Sequence, residues 1–213
     1  FWSETFQVNY STLIPRPETE LLVYEVIKLF KNKNINILDI GSGSGCILLS
    51  ILKELTTSVG IGIDISKKAV QTAIFNAKKL NLSKRACFKI FDISKFSSGE
   101  YDLIVSNPPY IPSKDLKNLS KDITDYEPLG ALNGGIDGLD LMKKVIYKSN
   151  KLLKKSGIFA LEIGNRQYFE VSRILKKNGF GELGKVYDYK ENVRCIISTK
   201  WDNYLIYFDK WKL

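Results

Sequence analysis

One apolar run of this chain ends at an asparagine that is followed by two prolines and a tyrosine, in the stretch VSNPPYIP over residues 105–112. Proline cannot donate to a sheet ladder, so a strand must end there. The side-chain oxygen of Asn107 and the carbonyl oxygen of Pro108 can each accept one N–H. Pro108 and Pro109 restrict the backbone that carries these acceptors, and Tyr110 offers a flat face. The pattern suits a planar nitrogen that bears two hydrogens, whereas a strand terminator with an incidental asparagine is the alternative.

A glycine-rich loop lies upstream, in LDIGSGSGCI over residues 38–47, between an apolar run and an amphipathic one. Glycines allow the backbone to approach a ligand closely, and the N-terminus of the following helix offers free N–H groups. Asp64 ends the next apolar run, where a carboxylate can accept both hydroxyls of a ribose. The loop therefore predicts a nucleoside cofactor, although a tight strand-to-helix turn also uses glycine.

The spacing of the glycines separates two kinds of nucleoside cofactor. A dinucleotide loop usually reads G-x-G-x-x-G beside a pyrophosphate. Here the pattern is D-x-G-x-G-x-G, from Asp39 to Gly45, and it resembles the first motif of the class I S-adenosylmethionine (AdoMet) methyltransferases, whose ligand has no phosphate. In that arrangement Asp92, at the end of the third strand, would lie beside the adenine. Nicotinamide-dependent oxidoreduction is the alternative.

Methyl transfer gives the acceptors around Asn107 a chemical role. The lone pair of an amide or exocyclic amine nitrogen is delocalised, so the nitrogen is a poor nucleophile. In a doubly wound sheet the fourth strand ends beside the first, where ligands bind, and Asn107 would therefore lie next to the cofactor. Two fixed acceptors would aim the lone pair at the methyl carbon, and such positioning is a large rate term.

Composition excludes several other kinds of site. The chain of 213 residues has no histidine, which excludes His-based triads and zincins. Cys46, Cys87 and Cys195 lie in apolar runs, which predicts buried thiols and no metal site. No apolar run approaches the length of a membrane helix. The net charge of +9 at pH 7 comes from scattered lysines and predicts a solvated surface, with an acidic or RNA-bearing partner as the alternative.

Alternating apolar and amphipathic stretches supply the elements that must position these residues. The pattern predicts strands over 35–41, 59–66, 86–94, 101–107, 157–164, 184–189 and 193–201, and helices over 46–55, 67–82, 139–155 and 166–180. Residues 1–32 predict a short N-terminal β-hairpin that leads into a helix starting at Pro17. We predict an α/β fold, a class I methyltransferase Rossmann-like doubly wound sheet of about seven strands, mostly parallel with an antiparallel C-terminal strand.

Enzymes with an Asn-Pro-Pro-Tyr motif act on adenine or guanine in nucleic acids or on glutamine in proteins, and other stretches must distinguish them. These stretches are FWSETFQV (1–8), LIPRPETE (13–20), YEPLGALNGGIDGLDLMKKVI (126–146) and LEIGNRQ (161–167). Together they closely resemble the PrmC/HemK family of release factor glutamine methyltransferases, over nearly the whole chain and in the same order. The resemblance implies AdoMet-dependent methylation of the side-chain amide of the glutamine in the Gly-Gly-Gln loop of peptide chain release factors.

The resemblance also assigns roles to single residues. It implies that AdoMet is contacted by Gly41, Ser42, Gly43, Ser44, Gly45, Asp64 and Asn107, with Asp92 and Ile93 at the adenine. It implies that the glutamine is held by Asn107, Pro108, Pro109 and Tyr110, with Asn107, Pro108 and Tyr110 acting in catalysis. It places Pro15, Arg16, Pro17, Glu18 and Thr19 at the border of the pocket. From the residues alone, Pro17 and Glu18 could equally mark only a helix start, and Glu162 receives no role.

Two departures from the family pattern bear on these expectations. The family carries a small helical N-terminal domain that helps to recognise the release factor, and this chain starts after it. We therefore expect residues 1–32 to be a linking segment and 33–213 to be the methyltransferase domain. The position after Asp92 is commonly aromatic in the family and is Ile93 here, which bears on cofactor affinity.

The resemblance further implies a cytoplasmic monomer, organellar if the source is a eukaryote, that acts neither on a membrane nor directly on nucleic acid. Two alternatives remain from the sequence. One is a nucleic-acid amine methyltransferase, which has the same acceptor motif and a basic surface. The other is a non-enzymatic AdoMet-binding fragment.

Overall fold

The β-branched apolar runs of the sequence form one sheet in the computed structural model, which describes residues 1–200. The strands are β1 (Asn36–Ile40), β2 (Val59–Asp64), β3 (Ala86–Ile90), β4 (Tyr101–Ser106), β5 (Leu153–Glu162), β6 (Phe180–Tyr187) and β7 (Val193–Lys200). The helices are α1 (Pro17–Phe30), α2 (Cys46–Glu54), α3 (Lys67–Lys79), α4 (Lys121–Tyr126), α5 (Asp140–Leu152) and α6 (Tyr168–Lys177). Short 3₁₀ helices occupy Ser113–Asn118 and Leu129–Ala131.

The order of the strands in the sheet is β3-β2-β1-β4-β5-β7-β6. Pairings from β3 across to β5 are parallel, and β7 lies antiparallel between β5 and β6. This confirms the predicted α/β fold, with its mostly parallel sheet and antiparallel C-terminal strand. The order reverses between β1 and β4, where Ile40 pairs with Ser106. The glycine loop and Asn107 therefore leave the sheet side by side, at the switch point where ligands bind in such folds.

Both faces of the sheet are covered by helices, which is why its central strands are apolar throughout. Ile37 of β1 packs in the cluster that includes α1, α2 and α3. Leu38 and Ile40 point the other way, into the cluster that includes α5 and α6. Alternate residues of one strand thus reach opposite cores, and the strand ends are held rigidly.

The predicted N-terminal hairpin is wrong. Residues 1–16 form turns and irregular backbone with no strand, and backbone groups of Trp2, Thr5 and Gln7 bond side chains of the neighbouring helices instead of a second strand. Trp2 N donates to Glu20 Oε1 at 2.6 Å, and the Asn76 side chain accepts from Gln7 N and donates to Gln7 O, each at 2.9 Å. The same Asn76 amide donates to the carbonyl of Ser44 in the glycine loop at 2.9 Å. One buried amide of α3 therefore takes the place of a partner strand.

Helix α1 begins at Pro17 as predicted. Strand β3 ends at Ile90, four residues before the predicted end, and β6 begins at Phe180, four residues before the predicted start. Strand β5 begins earlier than expected, at Leu153, because this residue pairs with Tyr101 before a register shift leads to the pairing of Leu103 with Ile158. The division at residue 32 stays a prediction. Trp201, at the end of the last predicted strand, and the rest of the domain's predicted C-terminal part to residue 213 lie outside the described residues.

The cysteine prediction holds for two of the three thiols. Cys46 and Cys195 are buried, but Cys87 is exposed because β3 is the edge strand of the sheet. Between residues 1 and 200, no helix has both the length and the apolar composition needed to cross a membrane. No group of three or more metal-ligating side chains comes together within that same part of the chain.

Candidate active site

The loop after β1 is fixed to β2 by its own backbone. The N–H groups of Gly41 and Ser42 both donate to the carbonyl of Ile63, at 2.8 and 3.0 Å. Gly43 has φ +54°, and a Cβ there would meet no atom within 4 Å, so this residue faces open space. Gly45 has φ +80°, but a Cβ there would come within 2.9 Å of the Phe88 ring. Both positions favour glycine, Gly43 at an open surface and Gly45 at a contact between helix and strand.

Asp64 ends β2 and holds the loop from the other side. Its Oδ2 accepts from Gly43 N at 2.9 Å and its Oδ1 accepts from Ser66 N at 2.8 Å. Burial raises the pKa of this carboxyl, and the backbone N–H groups of Ser66, Gly43 and Ile65 oppose that rise. Each carboxylate oxygen has a second lone pair, so Asp64 can accept further hydrogen bonds while it keeps the loop in place.

A cavity of about 410 Å³ opens above these strand ends, within the range of small-molecule sites, ~300–1,000 Å³. Predicted cofactor residues on its wall are Gly41, Ser42, Gly43, Ser44, Asp64, Asp92, Ile93 and Asn107. Predicted substrate residues on the same wall are Pro108, Pro109, Pro15, Arg16 and Thr19. The fold therefore brings the two predicted sets, which lie far apart in sequence, onto one cavity.

Four predicted residues are absent from the wall of this cavity: Gly45, Tyr110, Pro17 and Glu18. Tyr110 packs among buried side chains of the α5–α6 core, where burial raises the pKa of its hydroxyl. The Arg194 guanidinium donates to that hydroxyl at 3.4 Å, and Gln167 Nε2 donates to the Tyr110 carbonyl at 3.0 Å. The role of Tyr110 as a platform for the substrate stays a prediction.

Two apolar residues that the sequence analysis missed lie on the cofactor side. Ile65 follows Asp64 and is 73% exposed, and Phe91 precedes Asp92 and is 42% exposed. Both line the cavity. Phe91 therefore supplies an aromatic ring next to Ile93, the position that departs from the family pattern. The sequence shows only a large apolar residue beside an acidic residue at each strand end, and the exposure that marks these residues as a binding surface is visible only in the structure.

Asn107 follows β4, and its orientation is set by α1. Its Nδ2 donates to Thr19 Oγ1 at 3.3 Å. Because the NH₂ group is turned toward Thr19, the amide oxygen is the end left to accept hydrogen bonds from a ligand. This is the orientation that the predicted chemistry requires.

The segment after β4 is held beside the cavity by contacts of Glu127 and Tyr126. Glu127 is buried and accepts from the Arg16 guanidinium at 2.5 Å. Tyr126 stacks on Tyr10, with ring centroids 6.1 Å apart and an angle of 17° between the planes. Pro128, Gly130 and Ala131 then line the cavity. The stretches LIPRPETE and YEPLGALNGG, which carried much of the resemblance, thus meet at one wall of the site.

Comparison with known proteins bears on what this site is. The model of a methyltransferase domain family matches residues 31–205. The release factor glutamine methyltransferase of Rhodospirillum rubrum is 38% identical over 94% of this chain, which spans 62% of that protein's length. The enzyme of the same name from Caulobacter vibrioides is 39% identical, over 94% of this chain and 70% of its own length.

The chain belongs to the release factor glutamine methyltransferase family. The predicted family is thereby confirmed. A solved structure, the ribosomal protein L11 methylase of Lactobacillus delbrueckii subsp. bulgaricus, superimposes with a TM-score of 0.65 at 19% identity, over 87% of this chain and 80% of that one. This similarity shows the shared fold. Within the family fold, the cavity between the glycine loop and Asn107 is the candidate active site.

Proposed function

We propose that this chain transfers a methyl group from AdoMet to the side-chain amide nitrogen of a glutamine, the one in the Gly-Gly-Gln loop of a peptide chain release factor. The observation that carries the proposal is the single cavity whose wall includes both the glycine loop with Asp64 and the acceptors Asn107 and Pro108. A cofactor site next to a pair of amide-binding oxygens is the arrangement that amide methylation needs. The family names support the same substrate.

The cofactor half of the cavity fits an adenosyl sulfonium. Asp64 has lone pairs left for ribose hydroxyls, and Ile65, Phe91 and Ile93 offer an apolar surface for an adenine. Ser42 Oγ on the cavity wall is buried and has no hydrogen-bond partner within residues 1–200, so a polar ligand group would satisfy it. The loop contains no Lys or Arg between Asp39 and Cys46, consistent with a ligand that has no phosphate.

The acceptors of the substrate half orient the reacting amide. The glycine loop and Asp64 would hold AdoMet, which would supply an electrophilic methyl group to the substrate nitrogen, and the amide would give up one proton in exchange. The Asn107 side-chain oxygen and the Pro108 carbonyl accept the two N–H groups and so turn the lone pair toward the cofactor half. As the nitrogen becomes pyramidal its hydrogens become more acidic, and these acceptors bind the transition state more tightly than the planar amide. Pro108 and Pro109 keep both acceptors in place.

The test is transfer of label from methyl-labelled AdoMet to a purified release factor. We expect labelling of the wild-type release factor and none of a variant in which the loop glutamine is replaced by alanine. Equal labelling of both release factors would contradict the proposed substrate. Transfer to DNA or RNA with strong salt dependence would instead support the nucleic-acid alternative. No turnover on any of these substrates, with AdoMet still bound, would leave the non-enzymatic alternative.

A further inference from the structure

Glu162 ends β5 and is completely buried beside the candidate active site. Strands β4 and β5 are paired, with Ser106 opposite Leu161, so the next residues, Asn107 and Glu162, leave adjacent strands at the same edge of the sheet. A buried carboxylate is costly unless it is hydrogen-bonded. The burial of Glu162 beside Asn107, the predicted acceptor of the substrate amide, therefore calls for a chemical explanation.

A hydrogen-bond relay joins Glu162 to Asn107 through the buried hydroxyl of Thr19. Thr19 Oγ1 donates to Glu162 Oε2 at 2.7 Å and accepts from Asn107 Nδ2 at 3.3 Å. In its ionised form the Glu162 carboxylate can only accept, so above its pKa the single proton of the threonine hydroxyl is committed to Glu162. The threonine oxygen is then left to accept, and it can do so only from the NH₂ end of Asn107. The direction of the relay thus decides which end of the amide faces the cavity.

The charges around Glu162 are consistent with this direction. Burial raises the pKa of Glu162 to about 7, and the hydrogen bond from Thr19, the charge of Arg194 and the Asn107 amide oppose the rise, whereas Glu18 adds to it. The contributions that lower the pKa favour the ionised carboxylate, which is the form that accepts from Thr19. Glu162 Oε1 has no hydrogen-bond partner among the described residues, so this oxygen can accept the other hydrogen of the Asn107 side-chain amide.

We propose that Thr19 and Glu162 are positioning residues for methyl transfer, which hold Asn107 with its side-chain oxygen toward the substrate amide. This inference rests on the proposed function, because it assigns the Asn107 oxygen to the reacting nitrogen. Without the relay, the Asn107 amide can turn over and present its NH₂ group. Two donors would then oppose each other, and the substrate nitrogen would lose one of the acceptors that orient it.

The first test compares Thr19→Val with Thr199→Val. Both changes remove one buried hydroxyl. Thr199 lies in β7, away from the cavity wall, and its hydroxyl donates to Gly157 O of β5 at 2.8 Å. We expect T19V and E162A to lower kcat by about 10- to 100-fold, less than the ~10²–10³ of a direct electrostatic contact, with AdoMet affinity unchanged. T199V should keep the wild-type kcat. If T19V and T199V lose kcat equally, the relay has no positioning role.

The second test reverses the direction of the relay. Asn107→Asp brings a second carboxylate toward Glu162 and removes the NH₂ group, so we expect its activity to be very low. Adding Glu162→Gln allows the glutamine amide to donate to Thr19, whose proton can then go to the carboxylate introduced at position 107, and an acceptor oxygen faces the cavity again. We expect the double variant to be at least about 10-fold more active than N107D, which corresponds to a coupling of the size found between residues in contact. A double variant no better than N107D would contradict the proposal.

A third measurement does not require the proposed substrate. In ¹⁵N-labelled protein, the Asn107 side-chain NH₂ signals should be protected from hydrogen exchange in the wild type and in T199V, and should lose that protection in T19V. Unchanged protection in T19V would overturn the relay whatever the substrate is. Failure of the wild-type chain to methylate the release factor, with protection lost in T19V, would instead contradict only the proposed function.

Discussion

The two halves of the cavity are assembled in different ways. On the cofactor side the hydrogen bonds join residues close in sequence, such as Gly43 with Asp64, 21 positions apart. On the substrate side they join Arg16 to Glu127 across 111 positions and Thr19 to Glu162 across 143. The cofactor half is built by two successive strand–loop–helix units. The substrate half forms only when three distant parts of the chain are in place together: α1, the segment that follows β4, and strand β5. Substitutions in the two halves should therefore separate cofactor affinity from turnover.

Asn107→Ala should have the largest effect, because it removes an acceptor at the point where the halves meet. We expect kcat to fall by about 10²–10³-fold, as for other direct electrostatic contacts at reacting atoms, with the melting temperature nearly unchanged. Single-turnover methylation of the release factor measures this. Asn178→Ala is the control, since that side chain donates to the Ile174 carbonyl of α6 at 2.8 Å and is not on the cavity wall. Similar kcat values for N107A and N178A would show that the amide at 107 does not act on the substrate.

Asp64→Ala should act on the cofactor half alone. The loss of hydrogen bonds to a charged group predicts AdoMet affinity lower by about 10- to 100-fold, with kcat at saturating AdoMet much less affected. Titration calorimetry with AdoMet checks the first part. Asp102→Ala is a matched control, because Asp102 pairs with Lys154 and accepts from Asn36 N at the opposite ends of the strands. A D64A protein that loses kcat and keeps its AdoMet affinity would break the division into halves.

Arg16→Ala should act on the substrate half. It leaves the buried Glu127 without its cation, which is destabilising for a buried pair, and so loosens the segment that carries Pro128 to Ala131. We expect KM for the release factor to rise by roughly 10-fold, less than for a fully buried pair because Arg16 is partly exposed. AdoMet affinity should be unchanged. Arg173→Ala, which breaks an exposed pair with Glu170, should leave KM unaffected. An equal rise of KM in R16A and R173A would show that Arg16 does not shape the substrate side of the cavity.

One buried carboxyl lies in a strand behind each half, Asp39 in β1 and Glu162 in β5, and burial raises the pKa of each to about 7. Since the unfolded values are 3.8 and 4.5, the folded state binds more protons between these values and about 7. Stability should therefore fall as pH rises through that window.

Asp39→Asn and Glu162→Gln should each flatten part of this dependence, by roughly 2 kcal/mol between pH 5 and pH 8. Urea unfolding at the two pH values measures the difference, and Asp122→Asn on the exposed face of α4 serves as the control. Of the two buried changes, only E162Q should alter the dependence of kcat on pH. A D39N protein with the full wild-type slope would show that Asp39 is ionised in the fold over this range.

The contrast between the halves also explains how much the sequence could predict. Glycine spacing and the acid after β2 are local signals, so the residues from Gly41 to Asp64 could be placed on one site without a structure. The bonds of Thr19 to Asn107 and Glu162 have no local signal, because nothing in a periodic pattern says which helix start meets which strand end. The family resemblance placed the stretch LIPRPETE at the pocket, but it did not indicate which residues this stretch contacts. The N-terminal hairpin failed for the same reason, since Asn76, far along the chain, supplies the bonds.

The side-chain amide of Asn76 donates to both Gln7 O and Ser44 O, and this shared contact has a thermodynamic consequence. Two regions that share a partner are linked, so whatever orders the glycine loop also orders the start of the chain, and the coupling is reciprocal. Saturation with AdoMet should slow backbone hydrogen exchange around Gln7, which the cavity wall does not include. Conversely, a partner protein that binds the first residues of the chain would change the affinity of the glycine loop for AdoMet without touching the cavity.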